Sequence, residues 1–584
     1  MAENRTSVPV QRSSAREVGP SCLMGAERAS ALFCETSRKG ESMRRKAILA
    51  LLLSTMLMLF LVSCGSSGSN ESASSGSSAA ASGGSGAAVP TDKVMKIGST
   101  QACTSLDPAN GYDHWYTVRY GVGETLMKFN DDMTPSPWLA AEMPTVSDDQ
   151  LTWTVNVRDD VTFSTGEKLT GEKVKAALER QCNENDLAKN YFKLKEITAD
   201  GQTVAITTES PVPIMPYLLA DPVFVIYDTA DLTDVAEKGP IATGPFVFKS
   251  FDSVAQNVSV ASNDNYWNGT PSVSGLDFVL IPDPVTLGMS LKNGEIDAGY
   301  GVGIEDMEYF EGDSNYTVSA TASGRTTFGF MNQSEGKALK DETLRQAIIR
   351  MLDREAYCDV QFYGQYVPGK TPLASSLPYG YDELKDINAY DLNGAIKLLD
   401  EAGYVDADGD GWRDMPDGSP LEISITSYEG RVEIPVLAQI MQQEGKEIGL
   451  HFEINNTDSS TAWNLLTTGE YDVLIMSVNM AASGDPETAM KSYFRSYSEE
   501  TPNYNLSGYS DPEVDALFDK LSVEFDIDKR IELVKQIEQM MMDDSCCIYF
   551  CYPLINYVTK SDVVGLVSHT SDYYWANVET GFAK

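Results

Sequence analysis

The chain has 584 residues and a formal net charge of −41, with 85 acidic against 44 basic side chains. A field of that sign repels polyanions and excludes nucleic acid as a partner. Its three histidines, His114, His451 and His569, are far apart in sequence, and no G-x-S-x-G elbow is present, so neither a Ser-His-Asp nor a His-based zinc enzyme is expected.

Residues 1–42 lack periodicity and precede a basic segment, Met43-Arg44-Arg45-Lys46, and an apolar run from Ala47 to Val62. That order reads as a secretory signal peptide over 43–63, with Met43 as the expected start of translation and 1–42 not made. The run of 16 residues falls short of the ~20 that a spanning helix needs. Leu61-Val62-Ser63-Cys64 resembles the lipobox of bacterial lipoproteins, which makes Cys64 the expected lipid attachment site. The Ser/Gly/Ala-rich stretch over 64–92 cannot bury enough apolar surface to fold and is expected to be a flexible tether. From Cys64 onward the charge is −45, once the nine basic and five acidic residues before it are left out. The remaining 521 residues exceed one ordinary core, so two or three domains are expected.

Along the body, Lys93 to Ile97 opens a short strand, and Leu151 to Val157 ("LTWTVNV") alternates at period two as a half-buried strand. Asp341 caps a predicted helix whose Leu344, Ala347, Ile348, Met351 and Leu352 share one face. Asp391 starts another, with Leu392, Ala395, Ile396 and Leu399 inward and Gly403 as its C-cap. Val436, Leu437, Ile440 and Met441 mark a third, closed by Gly449 and followed by the strand "LHFEI"; Asp528 to Met542 is a fourth. Helices interleaved with strands give a mixed α/β body. "DADGDGWRDMPD" places Asp406, Asp408, Asp410 and Asp417 at positions one, three, five and twelve of a calcium-loop spacing; an acidic Gly-rich turn without metal has the same composition. Six body cysteines could pair after export, yet Cys547 and Cys551 lie in an apolar strand-like run where cysteine is a small buried hydrophobe.

An ordered series of short motifs then carries a resemblance. Glu124-Thr125-Leu126, Pro137-Trp138-Leu139-Ala140, Arg158-Asp159-Asp160-Val161, Thr243-Gly244-Pro245-Phe246, Asn265-Tyr266-Trp267, Gly294-Glu295-Ile296-Asp297, Arg345-Gln346-Ala347 and Asp353-Arg354-Glu355 stand at spacings similar to those of the extracytoplasmic solute-binding proteins of ABC importers, the peptide/nickel family. The resemblance covers the body from about Met95 onward. It implies a two-lobed periplasmic-binding-protein-like fold with an inserted subdomain and a ligand cleft between the lobes: lobe I over 93–325, lobe II over 326–547 and a return to lobe I over 548–584, with crossings near Thr326 and Ile548. It also implies a monomer on the outer face of the cytoplasmic membrane, touching the membrane through its lipid alone. An oligopeptide or dipeptide is the first expected ligand, a nickel or metal chelate the alternative, the permease subunits are the partners, and no cofactor is required beyond the candidate calcium.

In peptide-binding members an Asp of a W-x-x-D-Y-x-D-P-like loop holds the peptide amine. The matching stretch here is "NMAASGDPETAM", with Ala482 at the Asp position, so that anchoring mode is missing, while Asn479 and Met480 become candidate ligand contacts. Arg495 stands where the nickel-binding branch has an Arg, but that branch's pocket His is absent. Tyr112, Tyr116 and, with less to support them, His114 and Trp115 occupy a segment that lines the cleft in relatives, and Arg325 precedes the first crossing. A secreted hydrolase finds no support in these residues; a surface adhesin or lectin is permitted by the tether but not by the motif series.

Overall fold

In the computed structural model, residues 88–583 are described, apart from 430, 501 and 567. The signal segment, Cys64 and nearly all of the Ser/Gly/Ala stretch lie outside them. The described residues belong to one compact unit. Its leading residues are stitched into it, Val89 N–H donating to the Phe582 carbonyl and Thr91 N–H to the Ser272 carbonyl. With its own buried hydrophobic clusters, it stands as a folding unit. No helix among the described residues is long and apolar enough to cross a membrane.

Lobe I is built on the strand Val94–Ser99, which pairs in parallel with Gly275–Leu280 on one side and Ala298–Tyr300 on the other. Asn257–Ser262 and Phe246–Asp252 extend that sheet in antiparallel. The inserted subdomain is a four-stranded antiparallel sheet that includes Thr152–Asn156, covered by the helix Gly171–Glu184. Trp153, Val155 and Val157 are buried, while the alternate positions face outward, as the period-two pattern requires. Lobe II carries a second sheet in which Glu422–Tyr428 lies between His451–Thr457 and Val473–Asn479, both parallel to it, and Arg325–Met331 pairs antiparallel to Val473–Asn479.

Local signals placed the lobe II helices well. Asp341 caps Glu342–Met351 by accepting from Thr343 N–H, and Asp391 caps Leu392–Ala402 by accepting from Gly394 N–H. Gly403 ends the latter at φ +90°, a conformation that costs a side-chain-bearing residue but not glycine. The third and fourth helices run Glu433–Glu447 and Ile527–Asp543, the last capped by Asp526. The motif glycine Gly244 has an equally local cause: a Cβ there would lie 2.3 Å from the Gly121 carbonyl oxygen.

One strand, Cys547–Lys560, belongs to both sheets. Its first part pairs with Arg325–Met331 of lobe II and its second with Tyr316–Ala322 and Ala298–Tyr300 of lobe I. The exchange falls at Pro553, whose ring nitrogen has no proton to give a ladder, later than the expected crossing at Ile548. The other crossing is the Ser323–Gly324 turn, since Arg325 already belongs to the lobe II strand rather than to lobe I.

The lobes touch across the cleft. Tyr573 donates its hydroxyl to the Ala482 carbonyl at 2.8 Å, and Trp153 of the subdomain stacks on Phe525 at 6.0 Å. Phe129 and Tyr217 close so tightly on Gly484 that a Cβ there would meet the Phe129 ring at 2.4 Å.

Candidate ligand cleft

Between the lobes lies a cavity of about 300 Å³. Lobe I supplies Trp115, Arg119, Tyr300 and the segment Thr570 to Tyr573; lobe II supplies Arg325, Arg431 and Asn479; the shared strand supplies Pro553 to Asn556.

Arg119 ends the helix His114–Arg119 and is 2% exposed. Its Nε donates to the Asp572 carbonyl at 2.9 Å and its Nη2 to Asp572 Oδ2 at 2.6 Å. The guanidinium lies over the rings of Trp575, Tyr116 and Trp115 at 4.8, 5.0 and 5.4 Å, a stack that keeps a planar cation in place. Asp572 also accepts from Tyr300 Oη at 2.7 Å and Trp575 Nε1 at 3.0 Å, so its oxygens are committed. Burial alone would lower the Arg119 pKa, but the Asp572 carboxylate beside it raises it on balance.

Arg325 has no such partner. Its Nη1 donates to the Ser477 carbonyl at 2.8 Å, and among the described residues it makes no ion pair. Burial, reinforced by repulsion from Arg431, lowers its pKa to about 10. Arg431 reaches only Glu433, at 3.9 Å. Three guanidinium groups therefore face a cavity whose lining holds one carboxylate, Asp572, in a chain that is otherwise strongly acidic. Hydrogen-bonding capacity is left over on the same walls: Arg119 Nη1, Trp115 Nε1 and Asn556 Oδ1 are buried without a partner in the protein. Buried polar groups are normally satisfied, which sets these atoms apart on the cavity wall.

Of the residues singled out from sequence, Arg325, Asn479 and Trp115 line the cavity. Tyr116 stands behind the wall, against Arg119 and Trp575. Tyr112 does not line it; 59% exposed, it packs on Trp115 from outside at 5.1 Å. Met480, one residue past the strand Val473–Asn479, is fully buried in lobe II and does not line the cavity. Arg495 is turned away, ending the helix Glu487–Phe494 and pairing with Asp519 at 2.8 Å. His114 is buried, its ring nitrogens unpartnered and its pKa lowered to about 3 by burial. Sequence reasoning missed Arg119, Arg431 and Asp572; only the spacing of Trp115, Tyr116 and Arg119 on one helix was a local hint.

The Asp-rich turn lies elsewhere in lobe II. Asp406, Asp408 and Asp410 bring carboxylate oxygens within 4.8 Å of one another, but Asp417 is not among them. It instead accepts from the Ser419 N–H and hydroxyl in the next turn. Each of the three also accepts backbone N–H groups of its own loop, so the turn is satisfied without an ion. EGTA is accordingly expected to leave the melting temperature unchanged; a rise on adding millimolar CaCl₂ that EGTA reverses would establish a calcium loop instead. All six body cysteines are free thiols, and Cys547 and Cys551 are buried as expected of small hydrophobes.

Comparison with known proteins agrees with this architecture. Residues 134–501 match the profile of the bacterial extracellular solute-binding proteins, family 5 Middle. The nickel-binding protein NikA of Staphylococcus aureus is 26% identical over 441 residues, 76% of this chain and 85% of that protein. The glutathione-binding protein GsiB of Pectobacterium atrosepticum is 27% identical over 444 residues, 73% and 81% of the two chains. Among solved structures, the nickel ABC transporter from Bacillus halodurans superposes with a TM-score of 0.73 at 28% identity, covering 84% of this chain and 99% of that one. With the profile spanning more than half its length and the two-lobed fold shared throughout, the chain belongs to the family 5 bacterial extracellular solute-binding proteins.

Proposed function

We propose that this solute-binding protein of an ABC importer captures a small polycarboxylate solute in the interlobe cavity and delivers it to a permease by lobe closure. The observation that carries the reading is the excess of guanidinium groups over carboxylates on the cavity wall, with Arg119 Nη1 and Trp115 Nε1 left as free donors. Guanidinium forks match carboxylates in geometry, and a buried cation without a partner is costly until one arrives. At about 30 Å³ per water molecule, the volume holds roughly ten waters, enough for a short peptide or a compact chelate.

Two solutes of this class fit. A metal held as a carboxylate chelate brings negative charge without an ammonium, in keeping with the nickel-binding relative and with a cavity that has no free carboxylate for an amine. A short peptide would have to be held by carboxylates rather than by its amine; glutathione, which carries two, is bound by the second relative. Signal peptide, lipid on Cys64 and a flexible leash to the membrane complete the proposal, on the strength of the sequence alone.

Native mass spectrometry of the protein extracted from membranes, without added ligand, tests all of this at once. A single bound mass with a nickel or other metal isotope pattern means a chelate carrier, and a spread of masses differing by amino-acid residues means a peptide carrier. A diacylglyceryl increment on the peptide that begins at Cys64 supports the anchor. Preferential retention of cationic solutes would overturn the reading of the cleft.

A further inference from the structure

A second and larger cavity, of about 490 Å³, lies on lobe I behind the cleft. One stretch of chain separates the two: Thr570 to Tyr573 line the cleft, whereas Tyr574 and Ala576 to Glu579 line the cavity behind. The chemistry inverts across that partition. Charged side chains at the second cavity are Glu124, Asp131 and Glu579 against Lys128 alone, with Lys128 and Asp131 exposed at its rim.

Glu124 is the unusual one. It is 0% exposed and has no cationic partner among the described residues. Tyr266 Oη and Trp267 Nε1 each donate to it at 2.9 Å, one per oxygen. Thr243 and Trp138 also stand within reach of the same carboxylate, so it offers a ligand a fixed counter-charge rather than an open hydrogen-bond acceptor. Burial raises its pKa to about 7, although the indole, hydroxyl and phenol donors around it oppose that rise. Half-buried rings line the same cavity. Trp138 meets Tyr574 edge-to-face at 5.7 Å, and Tyr574 is fixed in turn by accepting the Phe129 N–H at 2.9 Å; Tyr266 supplies a third ring. His569 is also on the wall, and burial lowers its pKa against the pull of Asp131. A cavity lined by aromatic rings with a buried carboxylate in its wall attracts organic cations, which gain from the ring quadrupoles and from the counter-charge together.

We propose that this second cavity is a binding site for a small organic ammonium ion, with Glu124 as counter-ion and Trp138, Tyr266 and Tyr574 as its aromatic wall. The site is separate from the cleft and takes a ligand of opposite charge, so it stands or falls independently of the polycarboxylate reading.

Calorimetric titration of the body, residues 79–584, with tetramethylammonium and with n-propylammonium tests it. Saturable one-to-one binding of either ion is expected, the first if the site takes quaternary cations and the second if it needs an N–H donor. Glu124→Gln and Trp138→Leu should each weaken binding about tenfold, while Arg325→Met in the cleft leaves it unchanged. Near-UV circular dichroism checks that Glu124→Gln still folds; should it not, Trp138→Leu at the half-exposed rim decides alone. Absence of saturation with both ions at tens of millimolar, or equal affinity in the folded variants, overturns the proposal.

Discussion

Arg325→Met is expected to lose solute binding while the empty protein stays as stable as the wild type. The side chain is partly buried, makes one hydrogen bond to a carbonyl, and feels repulsion from Arg431 more than attraction from Glu433. Its charge is thus a cost in the empty protein and becomes favourable only when an anion arrives. Removing a charge-assisted contact to a bound carboxylate costs about 2–4 kcal/mol, roughly 30- to 1000-fold in Kd. Folding stability in urea should stay within about 1 kcal/mol of wild type, because no native ion pair is broken. Arg495→Met serves as a control, since Arg495 is turned away from the cavity and paired with Asp519. A variant that binds normally, or that loses several kcal/mol of stability, would show that Arg325 is structural.

Arg530→Met should do the reverse and strike the fold first. Arg530 is 2% exposed and forks onto Asp485, with both contacts at 2.9 Å, while also reaching Glu487 at 2.8 Å and the Leu521 and Glu524 carbonyls. Removing it strands two carboxylates in lobe II, a loss of about 3–5 kcal/mol. Arg530→Lys keeps the charge but not the fork and should fall between. The pH dependence follows from Glu487: burial would raise its pKa, but Arg530 outweighs this and holds it below the usual carboxylate value. A depressed folded pKa gives stability that is present above the unfolded value of about 4.3 and lost as pH falls through the folded one. The gap between wild type and variant should therefore be full at pH 7 and shrink below about pH 4. A gap that is flat from pH 7 to pH 3 would sink the assignment. Because Asp485 adjoins Gly484, on which Phe129 and Tyr217 close, faster solute release is the expected second effect.

Legibility in the sequence followed the range of the interactions. Helix caps at Asp341 and Asp391 and the alternation of "LTWTVNV" depend on residues a few positions apart, and these elements stand where they were expected. The motif series conveyed the two-lobed family, which no periodicity could have done. The cleft was only half visible: Asn479 and Arg325 line the cavity, but Met480, one residue past the strand that ends at Asn479, is buried in the core. The Arg119–Asp572 pair joins residues 453 positions apart, and nothing local in "TVRYG" or "TSDYYW" announces the other half. Arg495 lies away from the cavity for a local reason. Its position matched relatives, but a nearby acid, Asp519, claimed it.

The strand shared by both sheets also has a consequence in time. Lobe I lacks its edge partner, and the cleft its back wall, until residues 547–576 have left the ribosome and crossed the membrane. Contacts of such long sequence separation form late and slowly. A chain cut short before residue 547 is therefore expected to lack the cavity however well its earlier elements fold, so the ability to hold solute is the last property the sequence acquires.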